Sequence, residues 1–303
     1  MLLTMLICIF TLSCDFKVKD GEMMELESLG SFFKATREIR GYSLRDIETD
    51  YLDNSQLSRF ENDKAMLSSD RLMLAIAGLN MTPTEFFSRK SGFEQTKLHL
   101  FSKKISHYTM TRDFEGLKSL IKAKARKKED RIFNILVKCS LVDVPEVEVP
   151  ITVSDRKFVE GYLLSIEQWT IFEVSIFGMC LDAFDEVEVY ELSLELLKRN
   201  EFSQLITYHT EVVKKTIQNV YVHLICKGWY VRAERIAEEL EKLLTDWDME
   251  EKILFYIFRK FAKFRQEKNL ELLKEIQDDI QILKRFGVAG VATRIEMIIE
   301  NYQ

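Results

Sequence analysis

Gln56 and Arg59 stand three residues apart in the run Asn54-Ser55-Gln56-Leu57-Ser58-Arg59-Phe60-Glu61-Asn62. Their side chains carry the groups best matched to base edges in the DNA major groove: a carboxamide pairs bidentately with adenine, and a guanidinium fork with guanine. On a helix, residues three apart share a face, so the two groups point the same way. Leu57 and Phe60, also three apart, point inward. Such a helix has to be held against a base. Upstream, Ser43 is an N-cap and Leu44 and Ile47 give a short apolar stripe. A break follows at Leu52-Asp53-Asn54, and Asn54 is expected to cap the second helix. Two short helices across a tight turn, with an outer face rich in Gln, Asn and Arg, make a helix-turn-helix. Ser55 joins the outward face. Ser43 and Arg45 lie where the start of the first helix can take a phosphate, and Asn62 and Lys64 can do the same after the second. The expected role of Gln56 and Arg59 is base or phosphate contact. The alternative is a solvated helix face, and Asn54 can also serve as a cap alone.

The flanks fit this frame. Leu29, Phe32, Phe33 and Ile39 mark an earlier amphipathic helix. Leu72, Leu74, Ala75, Ile76 and Leu79 mark a later one, and Thr82-Pro83 opens a fifth. Five short helices over about 26–88 fit a lambda-repressor-like domain. The whole chain of 303 residues is 47% apolar with three prolines and eleven glycines. Strand-like alternation is nearly absent, so the fold class is all-α, in two domains.

Charge limits how DNA is bound. The net charge of −6 excludes a general polyanion binder. From Glu25 to Lys90, nine Lys/Arg stand against eleven Asp/Glu, a net of −2. Binding then relies on local placement of Arg45, Arg59 and Lys64, and on dimerisation. Residues 97–131 are the opposite: eleven basic residues face four acids, a net of +7. The expected reading is a solvated helix face, and the alternative is added phosphate contact.

Catalytic and metal signatures are missing from the sequence. There is no Gly-rich phosphate loop and no nucleophile–base pairing. His99, His107, His209 and His223 show no catalytic spacing. Cys8, Cys14, Cys139, Cys180 and Cys226 have no ligand spacing and read as reduced thiols of a cytoplasmic protein. No cofactor or metal is expected. Residues 1–22 are apolar at first, lack a basic start and are too short to span a bilayer. The expected reading is translation from Met23 or Met24, with residues 1–23 an extension outside the native domains. A membrane tether is the alternative.

From Phe93 onward the pattern predicts successive amphipathic helices at 93–110, 112–125, 129–141, 155–167, 169–182, 185–199, 201–226, 229–244, 248–266, 268–284 and 287–301. One non-helical gap runs from Val142 to Thr152, with Pro145 and Pro150. Three helices start alike, at Asp113-Phe114, Gly228-Trp229 and Lys268-Asn269. This is the pattern of degenerate tetratricopeptide-like hairpins, whose arrays leave a concave face suited to a peptide.

The N-terminal segment resembles the Xre-type helix-turn-helix family. It does so in Arg37, Ser43-Leu44, the run from Gln56 to Asn62, Lys64, Met81-Thr82-Pro83 and Glu85-Phe86-Phe87. That resemblance implies a structural salt bridge between Arg37 and Glu61, and a left-handed residue at Asp63, where the family usually has Gly. Over about residues 24–301 the chain resembles the Rgg/GadR/MutR regulators. The matching stretches are Tyr162 to Trp169, Phe172-Glu173, Phe177-Gly178, Asn219-Val220, Trp229-Tyr230 and Ala233. The resemblance implies a cytoplasmic homodimer that binds operator half-sites in double-stranded DNA and answers to a short apolar signalling peptide. Asn219 lies in a strongly apolar helix, where its amide can hold a peptide backbone or bond a neighbouring helix. Lys215 and His223, four residues either side, share its face and can meet a peptide carboxylate, or be a solvated Lys and a core His. Trp169 and Phe172 are expected in the core. The expected domains are 24–90 for DNA and 91–303 for sensing and dimerisation. The alternative is a helical-repeat scaffold or regulator with no peptide ligand.

Overall fold

The computed structural model describes residues 28–90, 97–142, 144, 147–199 and 207–302. They fall into two compact units, 28–90 and 97–302. Residues 1–23 and the expected Cys8, Cys14 and Pro145 lie outside the described residues.

The first unit is five helices: α1 (Leu29–Ile39), α2 (Leu44–Ile47), α3 (Asn54–Glu61), α4 (Ser69–Gly78) and α5 (Pro83–Arg89). Their apolar stripes converge on Phe33, Ile47, Leu52, Leu57, Phe60 and Phe86, each 0–1% exposed. Phe33 lies 5.6 Å from Phe60 and 6.1 Å from Phe86, centroid to centroid. Each such side chain contributes roughly 1.5–3 kcal/mol by leaving water. One charged pair ties α1 to α3. Arg37 Nε and Nη2 donate to the two carboxylate oxygens of Glu61 at 2.6 and 2.9 Å, and Arg37 Nη1 donates to Tyr42 O at 2.7 Å. The expected α1–α3 salt bridge is there, and it also fixes the turn into α2.

The helix caps follow sequence chemistry with one correction. Ser43 is the N-cap of α2, as expected, and forms a capping box with Asp46. The cap of α3 is Asp53 rather than Asn54. Asp53 Oδ1 accepts from Gln56 N at 2.9 Å and from Ser55 Oγ at 2.6 Å, while Asn54 is the first helical residue. A charged carboxylate answers the helix N-terminus better than an amide does. Asp63 is left-handed, at φ 54°. The Lys64 N–H donates to Arg59 O at 2.8 Å, closing α3. Asp63 also accepts from Ser28 Oγ, the cap of α1, at 2.6 Å, so an aspartate here gains a bond that glycine would not make. At this crossing, a Cβ on Gly30 would lie 1.9 Å from Phe60 O, so α1 and α3 approach too closely for any other residue.

The second unit contains α6 (Lys97–Met110), α7 (Phe114–Ser119), α8 (Lys128–Leu141), α9 (Val153–Leu164), α10 (Ile171–Met179) and a 3-10 turn at Leu181–Ala183. It continues with α11 (Glu186–Lys198), α12 (Thr207–Cys226), α13 (Tyr230–Leu243), α14 (Met249–Glu267), α15 (Leu270–Arg285) and α16 (Ala289–Tyr302). The three similar helix starts share a cause: each follows or contains a left-handed residue, Arg112 at φ 54°, Gly228 at 82° and Lys268 at 55°. Two expectations are corrected. Residues 112–125 yield only the short α7, because past Ile121 the sequence offers charges and alanines with no apolar side to bury. The helix expected at 169–182 starts at Ile171, since Thr170 and Glu173 form a capping box. Trp169 is core as expected: it is fully buried and donates from Nε1 to Leu163 O at 3.1 Å.

Glu61→Ala leaves the Arg37 guanidinium buried without its partner. We expect a loss of roughly 3–5 kcal/mol from the first unit, read as a lower thermal midpoint. An unchanged midpoint with lost DNA affinity would place Glu61 at the interface instead.

Candidate DNA and peptide sites

The outward surface of α2 and α3 is built from side chains with local obligations. Ser43, Arg45, Ser55, Arg59, Asn62 and Lys64 line it. Ser43 is the first to fall short of its expected role. Its N–H and hydroxyl both donate to Asp46 Oδ2 at 2.7 Å, so a carboxylate holds the position a phosphate would take. The hydroxyl bond from Ser43 is the main cause that keeps Asp46 below the usual carboxylate range. Asp53 is lowered likewise, first by Ser55 Oγ and then by the Gln56 N–H.

Gln56 is half-buried, and its Oε1 accepts from Asp53 N at 3.3 Å, the weak arm of the α3 capping box. Asn54 Nδ2 donates to Glu48 Oε2 at 2.9 Å, and Asn62 Nδ2 donates to Ser58 O at 2.7 Å. These amides stabilise the two helices before any DNA arrives. Arg59 stays exposed on the recognition helix, one turn from Ser55. Tyr51 was not singled out from sequence. It sits in the turn between α2 and α3, closed by the Thr49–Leu52 bridge, and is 75% exposed. A phenol at the tip of a helix-turn-helix is a ready donor to phosphate. Its only sequence signal is an aromatic residue beside the buried Leu52.

In the second unit, the expected trio falls on α12, which is enclosed by α10, α11, α13 and α14. From Val212 to Cys226 every residue of this helix is buried except the half-buried Lys215. Asn219 is 4% exposed, and its Nδ2 has no hydrogen-bond partner. An unpaired buried amide costs roughly 1–3 kcal/mol. Thr216 Oγ1 and Tyr221 OH are unpaired in the same way. Lys215 Nζ stands 3.9 Å from Glu251 Oε1 on α14.

His223 is fully enclosed, with Nδ1 3.8 Å from Asp182 Oδ1. Burial is the main influence and holds its imidazole below the ordinary histidine range, with Asp182 opposing. A neutral core imidazole does not present a cation to a peptide carboxylate, so the expected role of His223 is corrected. Lys214 was passed over in the sequence in favour of Lys215. It is the anchored cation, donating to both Asp248 oxygens at 2.8 and 2.7 Å. A separate surface depression of about 660 Å³ is lined by Tyr230, Val231, Glu234, Arg235, Glu238, Glu239 and Gln266 and includes none of the trio.

Among the described residues no group of three His, Cys, Asp or Glu is placed to hold a metal, and no helix is long and apolar enough to cross a membrane. Cys139, Cys180 and Cys226 are buried in the core. Burial pushes the Cys226 thiol up to about 12, far from a reactive thiolate.

The family described as HTH-type transcriptional regulator Rgg, C-terminal domain, matches residues 115–297. Among solved structures, the fold is shared with the Streptococcus dysgalactiae SHP pheromone receptor Rgg2, at a TM-score of 0.75 and 21% identity, over 90% of this chain and 99% of that one. A putative transcriptional regulator from Listeria monocytogenes EGD-e gives a TM-score of 0.73 at 16% identity, over 92% and 98% of the two chains. The PrgX/iCF10 complex gives 0.68 at 14% identity, over 89% and 88%.

The local bonding separates two variants. Arg59→Ala should weaken specific binding to DNA upstream of the gene by roughly 1–3 kcal/mol for a lost base contact, with the thermal midpoint unchanged. Gln56→Ala should lose affinity and also lower the midpoint, because it opens the α3 capping box. Footprints of unaltered affinity in both would remove α3 from the role of recognition helix.

Proposed function

We propose, from the premise that this chain belongs to the Rgg family of helix-turn-helix transcriptional regulators, that it binds operator DNA through residues 24–90 and is switched by a short, mostly apolar peptide held in residues 91–303. Arg59 and Gln56 read bases, assisted by Ser55. Arg45, Lys64 and Asn62 meet phosphates, with Tyr51 between them. Ser43 and Asn54 set the geometry of the two helices. The protein works in the cytoplasm as a homodimer, whose two recognition helices meet two half-sites, and it performs no catalysis.

The observation that carries the peptide reading is the amide of Asn219. A buried donor without a partner is a standing cost, and a peptide carbonyl removes it at the moment of binding. Lys215 on the same face supplies a cation near the peptide terminus, while His223 stays in the core beneath. A peptide that binds one arrangement of the helical hairpins more tightly shifts the population toward it, and with it the spacing of the DNA helices. The Streptococcus dysgalactiae protein Rgg2 is a pheromone receptor, and the same kind of ligand is proposed here. A second reading, a helical-repeat scaffold with no peptide ligand, draws on the acidic balance of residues 25–90, which weakens attraction to DNA.

The test uses the near-isosteric Asn219→Leu. Short apolar peptides encoded beside the gene are titrated into wild type and variant, and both are melted. Peptide affinity should fall by roughly 1–3 kcal/mol, while the melting midpoint holds or rises, because the unpaired donor is gone. A variant that melts lower and binds peptide equally well would return Asn219 to a structural role. Absence of peptide binding by the wild type would favour the second reading.

A further inference from the structure

The basic surplus of residues 97–131 includes one dense cluster of exposed cations. Lys97 is paired with Glu129 at 3.0 Å and Lys122 with Asp130 at 2.6 Å. The Asp113 carboxylate is committed to capping α7, accepting from Gly116 N at 2.8 Å. These three are all but one of the acids in the stretch. Lys104, Arg112 and Lys118 stay exposed elsewhere in the stretch, while Lys124, Arg126, Lys127 and Lys128, in the α7–α8 loop and the first residue of α8, are exposed in sequence proximity and form no salt bridge among the described residues.

The loop is held at its base. The Asn134 side chain accepts from Lys122 N and donates to Lys122 O, both at 2.8 Å. Leu120 and Ile121 pack on the core, and α8 starts at Lys128. A solvated helix face mixes signs. This arc carries one sign, on residues that span at most about 13 Å. Over that length a DNA duplex presents roughly seven or eight phosphate charges. The first unit cannot supply such attraction by composition. On its DNA face Arg45, Arg59 and Lys64 stand among Asp46, Glu48, Asp50 and Asp53.

We propose that the loop at residues 120–128 is a phosphate-binding surface for duplex DNA, supplying the sequence-independent part of DNA affinity that the helix-turn-helix unit lacks. The proposal rests on the DNA-binding reading above. It divides the labour between two units: α3 selects the sequence, and Lys124, Arg126, Lys127 and Lys128 hold the backbone.

Because this attraction does not depend on sequence, the operator is not needed to test it. A fluorescein-labelled duplex of random sequence, about 30 base pairs long, is titrated by anisotropy at several salt concentrations. The proteins compared are wild type, the quadruple variant Lys124→Gln/Arg126→Gln/Lys127→Gln/Lys128→Gln, and the control Lys198→Gln/Lys242→Gln. The control removes ammonium groups that are already paired with Glu195 and Glu239. Each phosphate contact contributes a slope of about −0.9 in log K against log salt. The quadruple variant should therefore show a slope shallower by about 2–4 and at least about tenfold weaker binding near 0.1 M salt. The control should match wild type, and all three should melt alike. A quadruple variant with the wild-type slope overturns this proposal and leaves the DNA-binding reading standing. Loss of slope in the control as well as the variant also overturns it, since any surface charge would then suffice. A wild type that binds neither this duplex nor the DNA upstream of its gene overturns both.

Discussion

A helix enclosed on every side must settle all its polar obligations with its own neighbours, and α12 is such a helix for the second unit. Its apolar residues knit α10, α11, α13 and α14 into one core. Some of its polar atoms are bonded to neighbouring helices and others are left open. Near the start, His209 bonds the carbonyl of Trp169 at 3.1 Å, and Lys214 grips Asp248 at the α13–α14 junction. At the finish, Arg265 Nη1 donates to the carbonyls of Ile225 and Cys226 at 2.6 Å, answering groups that an α-helix always leaves over. Thr216, Asn219, Tyr221 and His223 carry polar atoms without hydrogen-bond partners among the described residues. Helical hairpins on either side are therefore anchored to a rod whose centre and last turn hold unsatisfied polar atoms. A ligand acting at that centre would reach every hairpin packed on the rod.

The first unit solves a smaller problem by related means. A unit of roughly sixty residues buries little surface, so its recognition helix depends on specific bonds as well as apolar area. Arg37 and Glu61 supply the cross-link, and Ser28 and Asp63 close the α1–α3 crossing where Gly30 lets the backbones touch. Polar residues that look like DNA readers are partly spent on this task. Gln56 and Asn54 each serve a neighbouring carboxylate residue or its backbone, so Arg59 is left as the more available polar group on the outer face of α3.

Much of this was legible in the sequence, and the exceptions share causes. Short-range chemistry reads well: the capping box at Ser43, the left-handed Asp63, the Arg37–Glu61 pair and the three like helix starts all rest on residues within a few positions or on a distinctive motif. The choice between Asp53 and Asn54 as cap did not read, because both are good caps and Ser55 decides it by bonding Asp53. Periodicity also overran α7, since helix-forming Lys and Ala conceal the lack of anything to bury. The roles of Lys214, Lys215 and His223 depend on what lies across the helix. Their partners Asp248, Glu251 and Asp182 are 34, 36 and 41 positions away in the chain, and spacing along α12 carries no information about them. The basic loop between α7 and α8 was visible as a run of charge, but which of the neighbouring cations are already neutralised emerges only from the fold.

Many helix starts in this protein are fastened by a carboxylate. Asp46 is held low chiefly by the Ser43 hydroxyl, Asp53 by the Ser55 hydroxyl, Glu85 by the Thr82 N–H and Asp185 by the Glu188 N–H. A group whose pKa is depressed by folding adds stability above its unfolded value and withdraws it as pH falls through its folded one. The fasteners therefore share one solvent condition. In acid, below the ordinary carboxylate range, protonation withdraws these bonds, and α2, α3, α5 and α11 lose support at their first turns. The fold is thus acid-labile at its helix beginnings, while the hydrocarbon core that those helices cover is indifferent to pH.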